Sequence, residues 1–395
     1  MTAWLTIVGI GEDGALSTEA RAALAAAGLV VGGTRHLALV ETKAERRAWP
    51  SPMLPLVEEL AAGPRDRRVV VLASGDPMLH GVGASFAARL DPAEFHVIPA
   101  VSAFALACAR LGWPQADVTL VSAVGKPLDR MRVAVQPGRR LVIYGANAVE
   151  VAALLVEMGY GASGLSQFEH LGGPAEARRD GIARHWAHPT GDLALTAVTC
   201  LADAETRPLS TLAGLPDDAF DSDGQMTKRE VRAATLARLV PLPGQLLWDL
   251  GAGTGTIGIE WLRAHPACRA VAIERRPDRA VRIAENARRL GVPGLHVIEG
   301  ELPAALDPLP APDAIFIGGG IGTPGLVERC WAALPAGGRL VANVVTIDGE
   351  AALAHWHGQF GGELVRIAVS RARPLGGMLG WKNFAPVTQW AVIKS

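Results

Sequence analysis

Over the first half of the chain the polarity pattern alternates between two textures. Short apolar runs lie at 4–8, 29–31, 69–73, 96–99, 118–122, 141–144, 165–168 and 193–201. Between them stand stretches such as STEARAALAAAG, SAFALACARLG and VEVAALLVEMG, where apolar residues recur at helical spacing and a glycine closes the pattern. The short runs predict strands and the longer stretches predict helices with a glycine cap. Strand and helix in turn indicate α/β layering with much parallel sheet.

From 202 to 224 the texture changes. ADAETRPLSTLAGLPDDAFDSDG is acidic and turn-rich and carries no sustained period, which predicts a connecting segment with a boundary near 210. The expected organisation is a first domain over 1–205, a linker over 206–224 and a second domain over 225–395. In the second half strands are expected at 246–250, 270–274, 295–298, 314–317, 339–345, 363–369 and 387–393, with helices in the first gaps. The last two are joined by SRARPLGGMLGWKNFAP, too short and too rich in Gly and Pro for a crossover helix. They should therefore pair antiparallel, closing a seven-stranded, mostly parallel sheet.

Composition narrows the class. A 395-residue chain that is 49% hydrophobic can bury two full cores. A net charge of −1 gives no basic surface for nucleic acid or membrane. Only Lys43, Lys126, Lys228, Lys382 and Lys394 are lysines, so the remaining basic residues are arginines, the side chains suited to fork-shaped carboxylate binding. Cys108, Cys200, Cys268 and Cys330 lack CxxC spacing and sit in apolar stretches, which predicts buried reduced thiols and a cytoplasmic location. The N-terminus runs directly into a strand pattern with no basic leader, and no apolar run reaches the ~20 residues that span a bilayer.

The most informative stretch is LLWDLGAGTGTIGIEW, from Leu246 to Trp261: an apolar run ending in Asp249, a glycine-rich turn, then helical spacing. This is a strand, loop and helix start of the kind that cradles a nucleotide-like ligand. Gly253-Thr-Gly255-Thr-Ile-Gly258 satisfies GxGxxG, but so does Gly9-Ile-Gly11-Glu-Asp-Gly14, and spacing alone is weak evidence. Context points to S-adenosylmethionine rather than a nicotinamide cofactor. Asp249 lies inside the strand end, Glu274 ends the next strand where a carboxylate can accept both ribose hydroxyls, and Gly300-Glu301-Leu302 is placed to border an adenine. With the terminal hairpin, residues 225–395 resemble the class I methyltransferases. That resemblance implies a seven-stranded Rossmann-like fold and a cofactor held at Asp249, Gly251, Ala252, Gly253, Thr254, Gly255, Glu274 and Leu302. After the fourth strand stands Ile317-Gly318-Gly319-Gly320 and not the Asn/Asp-Pro-Pro-aromatic loop of base-amino methylases, leaving room for a flat, bulky substrate. Upstream, GQMTKREVRAATLARL reads as an amphipathic helix with Thr227 as N-cap and Glu230 completing a capping box, and Met226-Thr227 could close the pocket.

In the first half no acidic residue ends the second strand, where Val30-Val31-Gly32-Gly33 stands. VVVLASGDPMLHGVG places Gly75-Asp76-Pro77 after a strand, and VIPAVSAFALACARLGWP places Ser102 ahead of a helix. A plain turn explains Gly-Asp-Pro on its own. Together with the initial glycines, however, these stretches resemble the tetrapyrrole methylase family over about residues 1–202, and GGTRHL (32–37) resembles its cobalamin-precursor branch. The resemblance implies a two-lobed α/β fold with S-adenosylmethionine in the cleft, near Gly75, Asp76, Ser102 and Ala103. Pro99-Ala100-Val101-Ser102 departs from the family's common Pro-Gly before the Ser/Thr.

The pairing of the two resembles the fused, decarboxylating precorrin C5,15-methyltransferase family. It implies one S-adenosylmethionine per domain, a precorrin (a small-molecule tetrapyrrole) as substrate, methylation at C5 and C15, loss of a ring-C acetate as carbon dioxide, and a homo-oligomer. An electron-rich meso carbon is already nucleophilic, so the protein mainly has to position two ligands, and the macrocycle can absorb the electrons left by decarboxylation. No Ser-His-Asp or Cys-His set or metal spacing is evident; His355 and His357 fall on different helix faces. A carboxylate-rich substrate calls for guanidinium groups. Arg371 and Arg373, in the loop between the last two strands, are the candidates, with Arg229 and Arg232 behind them and His36 in the first half. Alternatives remain: one half as a cofactor-sensing or structural module, which would titrate with a single S-adenosylmethionine site, or a nicotinamide oxidoreductase, which NADH would protect from unfolding.

Overall fold

The computed structural model describes residues 3–192, 194–307 and 309–395. The chain forms two compact units, Met1–Leu128 with Ala134–Thr206, and Asp129–Val133 with Arg207–Ser395.

The first unit has two sheets. In its first lobe β1 (Leu5–Ile10), α1 (Thr18–Ala25), β2 (Leu29–Gly32), α2 (Thr34–Ala38), β3 (Glu45–Ala48), α3 (Leu54–Ala62), β4 (Val69–Ser74), α4 (Val82–Ala87) and β5 (Phe95–Ile98) follow one another. The five strands lie in the order β3-β2-β4-β1-β5, all parallel. β1, β2 and β4 read as nearly unbroken apolar runs because both faces are covered, each face having its own buried cluster. The second lobe runs through α5 (Ala103–Leu111), β6 (Val118–Ser122), β7 (Arg140–Tyr144), α7 (Ala148–Glu157), β8 (Gly164–Glu169), β9 (Ala177–Ile182) and β10 (Leu195–Thr199), and the short α6 (Met131–Ala134), between β6 and β7 in sequence, belongs to the second unit but for its last residue. Its order is β6-β7-β10-β8-β9, and only β6 and β7 pair in parallel. The expected strand over 193–201 is shorter in the structure, and Leu193 lies outside the described residues.

The second unit opens with residues expected to be a linker. They are packed chain. Leu215 and Phe220 are buried in the main core, and the Gly214 and Leu215 amides donate to the buried Glu260 carboxylate at 2.6 and 2.9 Å. Then come α8 (Arg229–Leu239), β11 (Leu246–Leu250), α9 (Thr256–Ala264), β12 (Arg269–Glu274), α10 (Pro277–Arg289), β13 (His296–Glu299), β14 (Ala314–Ile317), α11 (Leu326–Ala333), β15 (Arg339–Val344), α12 (Ile347–Phe360), β16 (Glu363–Ile367), β17 (Ser370–Leu375), β18 (Met378–Asn383) and β19 (Val387–Ile393). The seven-stranded sheet has the order β13-β12-β11-β14-β15-β19-β16, with β19 antiparallel to both neighbours, as the terminal pattern predicts. Along β11, Leu246, Trp248 and Leu250 join one buried cluster while Leu247 joins the other, so Asp249 shares the face of Leu247, toward α8 and α9. β17 and β18 are an addition: the segment read as a loop forms a separate two-stranded ribbon with exposed Leu375, Met378, Leu379 and Trp381.

All four cysteines are buried and unpaired with one another. Among the described residues no helix is long and apolar enough to cross a membrane, and no group of three or more His, Cys, Asp or Glu could hold a metal.

Candidate functional site

In the second unit the loop after β11 bends through positive φ at Gly251, Gly253 and Gly255. Gly253, at φ +59, would meet no neighbour closer than 4.0 Å if it carried a Cβ. The glycine there serves the backbone conformation and leaves the space above it open. Gly255 is the N-cap of α9 and has no side chain to satisfy the helix amides. Asp249 takes that role from below, its Oδ2 accepting the Gly258 N–H at 2.8 Å. Asp249 is 1% exposed and its Oδ1 has no partner, and burial pushes its carboxyl up to about 7. It therefore acts behind the loop, fixing the strand-to-helix turn. Glu274 closes the loop from β12: Oε2 accepts from the Gly253 amide at 2.9 Å and Oε1 from the Arg276 amide at 3.0 Å.

Over this loop lies a cavity of about 620 Å³. Gly251, Ala252, Gly253 and Thr254 form one wall; Phe316 and Gly318–Gly320 of the β14 end form the floor; Asn343–Thr346 of the β15 end, with Phe384, Ala385 and Val387, form the far side. Met226, Thr227 and Lys228 cover it, as the sequence suggests, and Thr254 Oγ1 ties the loop to this cover by donating to the Gln225 carbonyl at 3.0 Å. Asp249, Gly255, Glu274 and Leu302 are not in the lining, and Leu302 packs against the apolar cluster under β13 and β14. The open volume thus extends from the glycine loop toward β15 and β19, away from β12 and β13.

Thr227 is not the helix cap. Lys228 holds that position without a side-chain bond, and Glu230 pairs instead with Arg371. Arg371 is held by Glu230 (2.7 and 3.2 Å) and Asp217 (2.8 Å) and lies 5.3 Å over the Phe384 ring. Its bonds to these two carboxylates raise its pKa further above the ordinary guanidinium value. It stands on β17, opposite Lys382, and not on a loop. Arg373, two residues on, is exposed and makes no ion pair among the described residues. Arg232, expected behind them, is sealed in the core at 0% exposure, bound to Glu260 (2.6 Å), Asp217 (3.3 Å) and the Thr227 and Leu215 carbonyls. Arg229 is exposed. The cations that line the cavity are Lys228 and Arg279, and Arg279 is already bonded to Asp223 and Gln225. Sequence reasoning singled out neither these two nor Asn343; only the covering position of 225–228 hinted at Lys228.

In the first unit, Gly9 lies under the Gly75 loop so tightly that a Cβ would sit 2.1 Å from the Gly75 carbonyl oxygen and 2.5 Å from the Ala100 amide nitrogen. Gly75 turns at φ +56, and Asp76 Oδ1 accepts the Met78 N–H at 2.9 Å, the turn role its residue type favours. Ser102 caps α5, accepting the Ala105 N–H at 3.1 Å, with Ala103 as the first helical residue. Tyr144, at the end of β7 and absent from the sequence reading, accepts the Phe104 N–H at 2.6 Å, and burial pushes its phenol up to about 12. The structure thus gathers Gly75, Ser102 and Ala103 at one place: a Gly75 Cβ would lie 3.0 Å from Ser102 Cα. His36 bonds Ser74 Oγ at 3.0 Å, and burial, with Arg35 beside it, lowers its pKa to about 4. Glu12 joins Arg35 of the same lobe to His170 of the other, at 3.2 Å for the latter.

Residues 5–179 match the tetrapyrrole (corrin/porphyrin) methylase family and residues 218–394 match the precorrin methyltransferase domain family. The chain is 49% identical over 402 aligned residues to a precorrin-6Y C(5,15)-methyltransferase [decarboxylating] of Sinorhizobium sp, covering 99% of this chain and 96% of that one. It is 45% identical over 401 aligned residues to the protein of that name from Mycobacterium tuberculosis, covering 99% of this chain and all of the relative. A shorter relative, the cobalt-precorrin-6B C(15)-methyltransferase (decarboxylating) of Salmonella typhimurium, is 33% identical over 166 residues, 41% of this chain and 85% of its own length. With two family matches and identity sustained along its whole length, the chain belongs to the precorrin-6Y C5,15-methyltransferase (decarboxylating) family.

Proposed function

We propose that this chain methylates a precorrin at C5 and C15, with S-adenosylmethionine as donor at one site in each unit, and releases the ring-C acetate as carbon dioxide. The observation that carries the reading is the cavity over the Gly251–Gly255 loop, joined to a family relationship that spans the chain. The second unit is assigned C15 methylation and decarboxylation, and the first unit C5 methylation. A relative about the length of the second unit, named for the C15 reaction, supports that division.

The residues fit the cofactor. Gly253 leaves open space above the loop and the volume of about 620 Å³ lies within the range of small-molecule sites, while Glu274, outside the lining, braces the loop through the Gly253 amide. Bound S-adenosylmethionine would supply an electrophilic methyl group. Gly251–Thr254 and Glu274 would hold it, while Asp249 fixes the loop from behind. Gly318–Gly320 carry no side chain into the floor, and a planar macrocycle can lie against them. In the first unit Gly75, Asp76, Ser102 and Ala103 are the proposed cofactor residues, with Tyr144 beside them. Arg371 and Arg373 stay proposed substrate contacts, Arg373 the more available because Arg371 is already paired.

Incubation of the full chain with precorrin-6Y and methyl-labelled S-adenosylmethionine is expected to give two labels and one carbon dioxide per substrate. Titration with S-adenosylhomocysteine should show two sites, and Glu274→Ala should weaken one by roughly 1.5–3 kcal/mol. One label and one site would instead mark one unit as non-catalytic.

A further inference from the structure

β15 is sealed along its length except at one place. Of Arg339–Val344 only Asn343 is not buried, and it is a cavity-lining residue. Its carboxamide is locked from two sides. Asn343 Nδ2 donates to Thr235 Oγ1 on α8 at 2.9 Å, and Oδ1 accepts from Gln389 Nε2 at 2.9 Å, Gln389 being its direct partner on β19. Gln389 gives its second N–H to the same Thr235 oxygen at 3.0 Å, and Thr235 donates onward to the Val231 carbonyl at 2.8 Å. Thr235 is fully buried and Gln389 is 2% exposed.

This network permits one orientation of the Asn343 amide. Turned over, its NH₂ would face the Gln389 NH₂, and its oxygen would face a threonine hydroxyl whose proton is already given to Val231. A carboxamide carries two N–H groups and an oxygen with two lone pairs. One N–H and one lone pair are thus committed, and one N–H and one lone pair remain on a residue that lines the cavity.

Strand order says which ligand meets it. A cofactor held by the Gly251–Thr254 loop would sit over the end of β11, whereas Asn343 stands two strands to one side, beyond β14. In the proposed two-ligand site, that end of the cavity is left to the methyl acceptor. We propose that Asn343 is a substrate-positioning residue of the second unit, its free Nδ2–H donating to a carboxylate of the tetrapyrrole. An uncharged donor orients such a group without the strong attraction of a guanidinium, which would favour the intact carboxylate over its loss as carbon dioxide. This inference rests on the assignment of the second unit to the C15 reaction.

The test compares N343A and the isosteric N343D in the full chain with the precorrin substrate. For C15 methylation, KM should rise about tenfold or more in N343A and further in N343D, where an anion would face the substrate carboxylate. Methylation at C5 and the dissociation constant of S-adenosylhomocysteine should stay within twofold of wild type. Unchanged KM in both variants would overturn the proposal. So would wild-type KM in N343D alone, which would make the oxygen the working atom, or cofactor affinity falling in step with KM. Thermal unfolding checks the fold, and if N343A proves unfolded the isosteric variant carries the comparison. Absence of C15 methylation in the wild-type chain would instead refute the functional assignment.

Discussion

Both units contain Gly-x-Gly-x-x-Gly, yet the two copies do different physical work. At Gly9 the missing side chain lets two stretches of the protein's own backbone meet, since a Cβ would stand 2.1 Å from a carbonyl oxygen. At Gly253 the missing side chain permits a left-handed backbone beneath open space. The first glycine is required by the fold, the second by loop conformation and the ligand it admits. Charge is handled as differently. Glu12 and Arg35 of the first unit keep side-chain exposures of 17% and 39%, whereas Arg232 and Glu260 of the second lie at 0% and 2%. One pair is open to water and the other is dry.

Substitutions can break this comparison, and the largest effect belongs to Gly9→Ala. With backbone atoms on both sides nothing flexible can yield, so the first unit should lose more than about 3 kcal/mol while S-adenosylhomocysteine still binds the second. Differential scanning calorimetry with ligand would show one transition lowered and the other protected. Glu260→Ala should cost the second unit about 3–5 kcal/mol, because it leaves the Arg232 cation buried and strips the Gly214 and Leu215 amides. Glu12→Ala, by contrast, should cost ~1 kcal/mol in urea unfolding.

The Asp249 carboxyl sharpens the contrast through pH. Its pKa is raised from 3.8 to about 7 by burial, so the folded chain keeps a proton that the unfolded chain has released. Its contribution to stability is therefore full below about pH 4, falls as pH rises toward about 7, and is flat above that. Asp249→Asn keeps an acceptor for the Gly258 amide and removes the titration. The difference between variant and wild type should then change by on the order of 2–4 kcal/mol across this window, and a constant difference would refute the buried proton. Gly253→Ala ranks lower. Its cost in stability should be about 1–2 kcal/mol, for a left-handed alanine, with cofactor affinity falling much further than stability. The smallest effects are at the ribbon. Arg371→Ala should lower stability by about 1 kcal/mol by releasing Glu230 and Asp217. Arg373→Ala should leave stability unchanged and weaken only the precorrin. If both ligands weaken with Arg373→Ala, its role as a substrate contact fails.

What the sequence made legible follows from where residues are buried. β11, its loop and α9 were plain because a dry parallel strand must be continuously apolar and its turn must be glycine-rich. The antiparallel end of the second sheet followed from a connection too short for a helix. β9, ARRDGI, was invisible because it is an edge strand with alternating exposure and little apolar content. The β17–β18 ribbon has most of its residues exposed, so no period of two marks it. At the site, Thr227 and Glu230 had the spacing of a local cap, but Glu230 is drawn to Arg371, which lies 141 residues away and whose position no local pattern encodes. Asn343 was missed for a related reason: its importance lies in Thr235 and Gln389, which share no sequence window with it.

The buried start of the second unit has a practical meaning for anyone dividing this gene. Ser210 supplies a carbonyl to Arg263, Leu215 and Phe220 fill the core, and Leu209 packs against it. A C-terminal fragment beginning at residue 215 would begin inside its own core, missing that carbonyl and with the Gly214 amide removed from Glu260. One beginning at Arg207 retains them. Of the two fragments, only the longer carries the full set of groups that keep Arg232, Glu260 and Arg263 compensated, so the choice of start codon by eight residues should decide between soluble protein and inclusion bodies.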